Sequence, residues 1–388
     1  MQNPTLRRCE SVPRKLRFRS TDSVAVGVIR LLIPALLLLG CAKRLDPSLV
    51  TDDIAQVRTD DGWILPLRHY PSTGGSGEPV LLMHGMSANH TNWDFRPEVS
   101  PVDELLAQGY DVWVPSLRGD QGTVPPSREA SSRIGFDDHA IRDVPAILDH
   151  IHAATGREQV LWVGHSMGGM LLYTTLVTRP ESVRAGIAIA SPATFQHPIN
   201  NHKAMRALGP LVAARRGRLH ASGLAGAFVG FRPVVRQLGN PDLLDKHILR
   251  GMARHTLTDL PRPTVRQARQ WLKEEELCLR DGSPWLAAAP SIDVPMLVLG
   301  SPDDHIASER DVAFACEIFP DCSYVLLSED NGFAADYGHI DPIVGTTAHD
   351  EVYPLIFDFL ADHRDDPVAA TEPGMDSDDT SVVEASAE

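Results

Sequence analysis

One ten-residue segment, VLWVGHSMGG at positions 160–169, constrains this chain more than any other. Its first residues are apolar and partly β-branched or aromatic, which favours a short buried strand. The strand leads into a serine with glycine two positions before and two after it, at Gly164, Ser166 and Gly168. An apolar segment suited to a helix follows. A strand, a sharp turn and a helix in this order are the context of a nucleophile elbow, in which a strained turn exposes the serine.

The two glycines and the helix start each have a physical explanation. Side chains at positions 164 and 168 would clash with the neighbouring strand and helix, so a turn this sharp requires Gly at both. A helix that begins at Met167 points its free N–H groups and the positive end of its dipole at the serine. An oxyanion that forms beside Ser166 would be stabilised there, and we expect the N–H of Met167 to be one of its donors.

Apolar strands alternate with helical segments along most of the chain. Such alternation implies a mostly parallel central sheet with helices on both faces, an α/β fold. A helix over residues 136–154 is expected to bury Ile141 and Val144 together on one face. We predict strands within residues 54–70 and at 79–83, 110–115, 160–165, 183–190, 294–299 and 323–327, and helices at 102–108, 136–154, 167–178, 309–319 and 347–363.

The alternation stops between residues 192 and 290. Helical segments at 242–255 and 264–276 predict that this region is a helical cap inserted into the core. The core then consists of a first part, residues 54–191, and a second part, residues 291–362.

A serine needs a base to take its proton, and a histidine base needs a carboxylate to fix its tautomer. His339 follows the last predicted strand and is the predicted base. Asp303 and Asp304 follow the strand at 294–299, and either could be the acid. The order Ser, Asp, His along the chain suits a fold in which loops at the carboxyl ends of parallel strands carry these groups. His305 and His165 are expected to have surface or capping roles.

The loop after the strand at 79–83 is the predicted source of a second oxyanion donor. His84, Gly85 and Met86 follow that strand directly, and the N–H of Met86 is placed to join that of Met167. We do not assign His84 as a base, because His339 already fills that role.

Three segments carry a resemblance to a known family. HGMSANHTNW at 84–93 is similar to the HGL…TNW segment of the acid lipases. DHIASERDV at 304–312 resembles their D-W-L-A-x-x-x-D-V, and HIDPIVG at 339–345 resembles H-L-D-F-I-W-G around their catalytic histidine. Over about residues 54–362 the chain resembles the α/β-hydrolase superfamily, and within it the branch of lysosomal and gastric acid lipases with their bacterial relatives.

The resemblance implies an α/β-hydrolase fold, Asp304 as the acid of the triad, and no metal or organic cofactor. That branch usually has Gln after the serine, where this chain has Met167, and its cap does not match this one obviously. The segments at 84–93 and 304–312 also resemble polyhydroxyalkanoate synthases, but those enzymes use Cys where this chain has Ser166. The serine favours hydrolysis over polymerisation.

The N-terminus has the pattern of a targeting segment. Seven Lys and Arg precede or interrupt an apolar stretch that ends at residue 40, and Cys41 follows. This predicts a signal peptide at 1–40. LLGC at 38–41 resembles a bacterial lipobox, which implies lipidation of Cys41 and a tether at 41–53. The alternative is an uncleaved anchor at 24–42. Both place the body in the bacterial cell envelope, on the periplasmic or outer-membrane side.

Charge and cysteines add further expectations. The net charge of −15 argues against nucleic acid as a partner, because both would be negatively charged. Residues 363–388 are mostly acidic and polar and are predicted to be a disordered tail. The body contains Cys278, Cys316 and Cys322, which allow one disulfide at most; pairing of Cys316 with Cys322 and separate burial both stay open.

Together these features predict a serine hydrolase that cleaves a small-molecule or lipid carboxylic ester and is held at a membrane by an N-terminal lipid anchor. Two alternatives remain. The same triad supports acyl transfer to an acceptor other than water, and a protein of this fold could be a non-catalytic ligand-binding envelope lipoprotein.

Overall fold

The computed structural model describes residues 53–73, 77–95, 99–197, 218–219 and 232–365. The predicted signal peptide and Cys41 lie outside the described residues, as do all but the last residue of the predicted tether. Residues 366–388 of the predicted acidic tail also lie outside them. These predictions remain predictions. None of the helices in the described ranges is both long enough and apolar enough to cross a membrane.

Eight strands of the described residues form one sheet, in the order β1-β2-β4-β3-β5-β6-β9-β10. Neighbouring strands are parallel from β4 to β10, whereas β1 and β2 pair with antiparallel registers. The predicted mostly parallel sheet is therefore confirmed. The strands are β1 (Ile54–Arg58), β2 (Ile64–Tyr70), β3 (Pro79–Met83), β4 (Asp111–Pro115), β5 (Val160–His165), β6 (Val183–Ile189), β7 (Arg218–Leu219), β8 (Leu260–Pro261), β9 (Met296–Gly300) and β10 (Cys322–Leu326), of which β7 and β8 pair with each other outside the sheet.

Both faces of the sheet are buried. Along β5, Leu161 and Val163 belong to one apolar cluster, and Val160 and Trp162 belong to the cluster on the other face. Successive strand residues point to opposite faces, so a strand that is apolar at every position needs cover on both sides. Helices provide that cover. The helices are α1 (Pro101–Ala107), α2 (Phe136–Asp138), α3 (Val144–Thr155), α4 (Met167–Thr178), α5 (Arg232–Val235), α6 (Lys246–His255), α7 (Arg262–Glu274), α8 (Glu309–Ala313), α9 (Ala315–Ile318), α10 (Asp341–Val344), α11 (Ala348–Glu351) and α12 (Tyr353–Asp362).

One prediction about side-chain direction is wrong. Residues His139–Asp143 form a π-helical turn between α2 and α3. A π turn contains an extra residue, which shifts the buried face by one position. Ala140 is buried in consequence, and Ile141 is 50% exposed. The predicted helices at 309–319 and 347–363 are each divided into two short helices, α8 with α9 and α11 with α12.

The second part of the core contains a disulfide. Cys316 and Cys322 are bonded to each other, which decides between the two alternatives in favour of pairing. Cys278 is a buried thiol whose Sγ accepts a hydrogen bond from Gln270.

The parallel strands bring distant loops to one edge of the sheet. The loops after β3, β5, β9 and β10 leave the carboxyl ends of strands that are all parallel to one another. These loops carry Met86, Ser166, Asp304 and His339, so the fold gathers the predicted site residues from four separate parts of the sequence.

Candidate active site

Ser166 has a strained backbone, with φ of 54° and ψ of −117°. Positive φ is rare for a residue with a side chain and is kept only where the surroundings enforce it. The enforcement here is a hydrogen bond from the N–H of Ser166 to the carbonyl of Ile189 (2.8 Å), together with the start of α4 immediately afterwards. The turn leaves the side chain of Ser166 partly exposed.

The glycines of the elbow lie against other backbone atoms. A Cβ at Gly164 would lie 2.4 Å from the carbonyl carbon of Gly168, and a Cβ at Gly168 would lie 2.1 Å from the carbonyl oxygen of Met83. Cβ atoms do not approach backbone atoms this closely, so both positions require glycine. The strand β3 and the elbow are packed together through this contact.

A continuous chain of hydrogen bonds links three of the predicted residues. His339 Nε2 lies 3.0 Å from Ser166 Oγ, and His339 Nδ1 lies 2.7 Å from Asp304 Oδ2. Because the Asp304 carboxylate can only accept, Nδ1 carries the proton and Nε2 is free to accept one from the serine. His339 and Asp304 are both 5% exposed.

Asp304 is held on its other side by backbone donors. Its Oδ1 accepts hydrogen bonds from the N–H groups of Ile306 (2.7 Å) and Ala307 (2.9 Å). Asp303 points elsewhere, with Arg236 Nη2 at 2.9 Å and His305 Nε2 at 3.2 Å. The structure therefore brings Asp304, and not Asp303, to His339.

The expectation that His165 has a surface or capping role is wrong. The side chain is buried, and its Nε2 donates to the carbonyl oxygen of His339 (2.9 Å). Burial, helped by the neighbouring His339, lowers the pKa of His165 to about 3, so the ring stays neutral. The neutral His165 ring, by donating to the main-chain carbonyl of His339, holds His339 beside the elbow.

The loop of His84, Gly85 and Met86 lies against the serine, since a Cβ at Gly85 would be 3.1 Å from Ser166 Cβ. The carbonyl of Gly85 faces away from it, accepting from His84 Nδ1 (3.0 Å) and from the N–H of Ala88 (3.2 Å). In a trans peptide the C=O and the next N–H point in opposite directions. The N–H of Met86 therefore points away from this turn.

His84 is paired with Asp120 behind that loop. Its Nε2 lies 3.0 Å from Asp120 Oδ2, while Nδ1 already donates to Gly85. The N–H of Leu117 lies 3.4 Å from Nε2 and 3.0 Å from Asp120 Oδ2, so Nε2 accepts from Leu117 in the neutral ring and donates to Asp120 in the protonated ring. Burial opposes the charge, but Asp120 and the Gly85 carbonyl outweigh it and raise the pKa of His84. Sequence reasoning missed Asp120, because 36 residues separate it from His84 and no local pattern joins them.

Asp341 links the His339 loop to the predicted cap. Its Oδ2 accepts from the N–H of Gly338 (2.6 Å), one residue before His339, and from the N–H of Asn240 (2.7 Å), a cap residue. Burial raises the pKa of Asp341 to about 7, against the lowering effect of these two amides. Asp341 was not predicted as a site residue, although it lies within the segment at 339–345 that resembles the acid lipases.

A second set of hydrogen bonds joins the cap to the Met86 loop. The N–H of Thr258 donates to the carbonyl of Ser87 (2.9 Å), and Ser87 Oγ donates to the carbonyl of Thr258 (2.5 Å). Asn89 Nδ2 also donates to the carbonyl of His255 (2.8 Å). Cap residues thus hold both loops that face Ser166. Within the described ranges, no group of three or more His, Cys, Asp or Glu side chains is arranged to hold a metal ion.

Comparison with known proteins places this geometry in a family. A model described as the alpha/beta hydrolase family matches residues 80–336, more than half of the chain. The chain belongs to the alpha/beta hydrolase family. The predicted fold and the predicted family are confirmed.

Two relatives and one solved structure illustrate the similarity. Triacylglycerol lipase 2 of Arabidopsis thaliana is 29% identical over 157 residues, which are 36% of this chain and 37% of that protein. The tear acid lipase-like protein of Mesocricetus auratus is 23% identical over 348 residues, 77% of this chain and 85% of that protein. The acid-lipase resemblance is confirmed by these matches, although the first one spans little more than a third of that lipase.

The solved structure supports the fold. A thermophilic esterase from Thermogutta terrifontis superposes with a TM-score of 0.57 at 18% identity, covering 80% of this chain and 99% of that one. At this identity the likeness shows that the two chains share the alpha/beta hydrolase fold.

Proposed function

We propose that this protein is a serine hydrolase that cleaves carboxylic esters, with Ser166, His339 and Asp304 as its catalytic triad. The observation that carries the proposal is the unbroken hydrogen-bond chain from Ser166 Oγ through both nitrogens of His339 to Asp304. An arrangement of nucleophile, base and orienting carboxylate at these distances is what acyl transfer requires. The lipase relatives and the esterase neighbour support the same class of reaction.

In the first step, Ser166 Oγ attacks the acyl carbon of the ester while His339 Nε2 takes its proton. The imidazolium that forms keeps its Nδ1–H bond to Asp304, whose negative charge stabilises it. His339 then gives the proton to the alcohol oxygen, the C–O bond breaks, and the acyl group remains on Ser166.

The negative charge on the acyl oxygen needs donors that are already in position. We assign this role to the N–H groups of Met86 and Met167. Met167 is the first residue of α4, so its N–H has no partner within the helix. The Gly85 peptide is held by His84 so that the N–H of Met86 points away from the Gly85 turn. Preorganised donors of this kind typically contribute a factor of about 100 to 1,000 in kcat each.

In the second step, His339 removes a proton from water, which attacks the acyl-enzyme. The proton passes back to Ser166 Oγ as the acid is released, and the free enzyme is restored. No step in this sequence draws on a metal or an organic cofactor.

We propose a lipophilic ester as the substrate. The names of the relatives, a triacylglycerol lipase and an acid lipase-like protein, support this class, as does the resemblance of the three segments around His84, Asp304 and His339. The envelope location and the lipid anchor at Cys41 remain proposals that rest on the N-terminal sequence pattern.

The proposal predicts the behaviour of Ser166→Ala and His339→Ala. Each should lose labelling by a fluorophosphonate probe and should lower kcat on p-nitrophenyl esters by about 10,000-fold or more, because triad members act as a unit. Ser132→Ala and His150→Ala, which change the same residue types away from the site, should keep both properties. A series of acyl chains from short to long would define the preferred ester.

Three outcomes would count against the proposal or narrow it. A folded wild-type protein that neither labels nor hydrolyses any ester would favour the ligand-binding lipoprotein. Labelling that survives Ser166→Ala would place the nucleophile elsewhere. A product analysis with a long-chain alcohol present would identify an acyltransferase if the new ester exceeds the free acid.

A further inference from the structure

The predicted cap has the opposite charge to the rest of the chain. Residues 192–290 contain 15 Lys and Arg against 7 Asp and Glu, whereas the remainder contains 21 against 44. A net positive region on a protein of net charge −15 indicates a surface that meets an anionic partner. The described helices α6 and α7 show where part of this charge lies.

The positive charge of α7 lies along a single line. Its four basic residues are at positions i, i+4, i+7 and i+11, which at about 100° per residue fall within roughly 60° of the helix surface. All four side chains are exposed, and they extend over about 16 Å at 1.5 Å per residue. They are Arg262, Arg266, Arg269 and Lys273.

The opposite face of α7 is anchored to the core. Trp271 packs edge-to-face on Phe136, and Gln267 Oε1 accepts from the N–H of Phe136 (3.0 Å). Thr264 Oγ1 donates to the carbonyl of Ile134 (2.9 Å). These contacts fix the rotation of the helix, so its basic face is directed outward by the fold.

The helix α6 repeats the arrangement. Lys246, Arg250 and Arg254 are exposed at positions i, i+4 and i+8, and the buried residues Leu249 and Met252 lie on another face. Among the described residues, no carboxylate lies within ion-pair distance of Arg250, Arg254, Arg262, Arg266 or Arg269. Lys273 is paired with Glu274 at the end of α7, so the positive charge without an ion-pair partner in the described part of the fold is that of these five arginines.

The segment between these helices is bonded to the candidate site. Thr258, in the link from α6 to α7, exchanges two hydrogen bonds with Ser87, the residue after Met86. The link between α6 and α7 is thus fixed to the loop of the proposed oxyanion donor.

We propose that the basic faces of α6 and α7 bind the headgroups of an anionic phospholipid surface. The charges do not converge on a point, as they would around a single small anion, but follow two helices as separate lines. A lipid surface offers many anionic groups over such a distance. The acidic remainder of the protein repels an anionic lipid surface, but salt screens this repulsion beyond about 8 Å at physiological ionic strength. The basic side chains nearest to the lipid therefore determine whether the protein binds.

The consequence of lipid binding for ester hydrolysis rests on the proposed function. A site held at a lipid surface would meet esters dissolved in that surface at high local concentration. The binding itself does not depend on catalysis and can be tested without it.

The test compares partition of the full chain into vesicles of phosphatidylglycerol and phosphatidylcholine in equal parts with partition into phosphatidylcholine alone. In the variant Arg262→Gln/Arg266→Gln/Arg269→Gln, the partition coefficient for the anionic vesicles should fall about fivefold per arginine, and so about a hundredfold in total. The matched control Arg58→Gln/Arg128→Gln/Arg133→Gln has the same change in net charge at exposed positions outside the cap and should bind as the wild type does. Thermal unfolding of all three proteins checks that each is folded.

Other outcomes overturn the proposal. A wild type without preference for anionic vesicles would overturn the proposed role of the basic faces of α6 and α7, and so would equal losses of binding in the two triple variants. Vesicle binding that appears only when residues 366–388 are removed would identify the acidic C-terminal segment of the chain as the partner of these basic faces. A water-soluble ester is assayed in parallel without vesicles: its hydrolysis tests the proposed function separately, and its failure would leave the binding result intact.

Discussion

The nucleophile elbow and the two loops that face it are held in place by different forces. Ser166 is fixed by close backbone contacts at Gly164 and Gly168 and by a backbone hydrogen bond to Ile189. No ionisable side chain takes part in these contacts. The loops of Met86 and His339 depend on side chains that titrate.

The titrating groups lie one layer behind the reacting atoms. His84 holds the Gly85 carbonyl and is itself held by Asp120, while Asp341 joins the residue before His339 to the cap. The comparison indicates that the position of the nucleophile is independent of pH. The positions of its base and of one oxyanion donor are expected to vary with pH.

The largest expected effect is on the elbow. Gly168→Ala would force a Cβ to within 2.1 Å of the Met83 carbonyl oxygen, and backbone on both sides would have to move. We expect a loss of about 4 kcal/mol or more in the free energy of unfolding, measured by urea titration at several pH values. The loss should be the same at each pH, because no titrating group is involved.

Gly156→Ala is the control for this substitution. Gly156 has a positive φ, 68°, and a Cβ there would meet no atom within 4 Å. It should lose only about 1 kcal/mol, the usual cost of a side chain in the left-handed region. Equal losses in the two variants would contradict the assignment of the cost to the close contact between position 168 and the Met83 carbonyl.

The next effect concerns the pair behind the Met86 loop. Asp120→Asn leaves a buried imidazolium without its carboxylate, which should cost about 3 kcal/mol at pH 6. The pKa of His84 is raised in the folded protein, so the pair contributes its full stability below the unfolded value and loses it as the pH rises through the folded pKa. The difference between the variant and the wild type should therefore shrink towards pH 9 in urea titrations.

Asp149→Asn is the matched control for the buried pair. Asp149 pairs with Arg179 at 2.8 Å, but its side chain is 64% exposed. An exposed ion pair contributes at most about 1 kcal/mol. A loss at pH 6 for Asp120→Asn that is no larger than this would contradict the assignment of His84 as a charged residue.

The smallest effect is a change of slope at Asp341. Burial raises the pKa of Asp341 to about 7 in the folded protein, whereas the ordinary pKa of a free Asp side chain is 3.8. The unfolded chain is then already ionised between these values, so the stability of the wild type should fall as the pH rises. From pH 5 to pH 7 this decrease is about 2 kcal/mol.

Asp341→Asn should remove that decrease, whatever its effect on the absolute stability. Its unfolding free energy would be compared with that of the wild type and of Asp350→Asn, an exposed carboxylate that lies beside His349. An unchanged slope in Asp341→Asn would mean that the two amide hydrogen bonds to this carboxylate outweigh its burial.

Much of the fold and the centre of the site follow from local sequence patterns. The elbow occupies ten consecutive residues, and the steric demands on Gly164 and Gly168 are set within them and by β3. The strand periods predict the sheet because central strands such as β3 and β5 are buried and apolar on both faces. Ile141 was misplaced because a π turn cannot be distinguished from an α turn by the spacing of apolar residues.

The partners behind the site could not be predicted in this way. His165 donates to the main chain of a residue 174 positions away, and Asn240 meets Asp341 from 101 positions away. Neither contact leaves a periodic or spaced signal in the sequence. Asp341 did have a signal, since it stands within the segment that resembles the acid lipases.

The sequence by itself determined the elbow at Ser166, the alternation that makes a parallel sheet, and the order of nucleophile, acid and base. These depend on backbone sterics and on side-chain periods, which act over a few residues. The tertiary structure decided between Asp303 and Asp304, which the residues by themselves left open, and brought Asp304 to His339 as the resemblance implied. Only the tertiary structure decided that Cys316 bonds Cys322 and that cap residues hold both loops. Those choices depend on distances between segments, and the order in which the strands pair sets these distances.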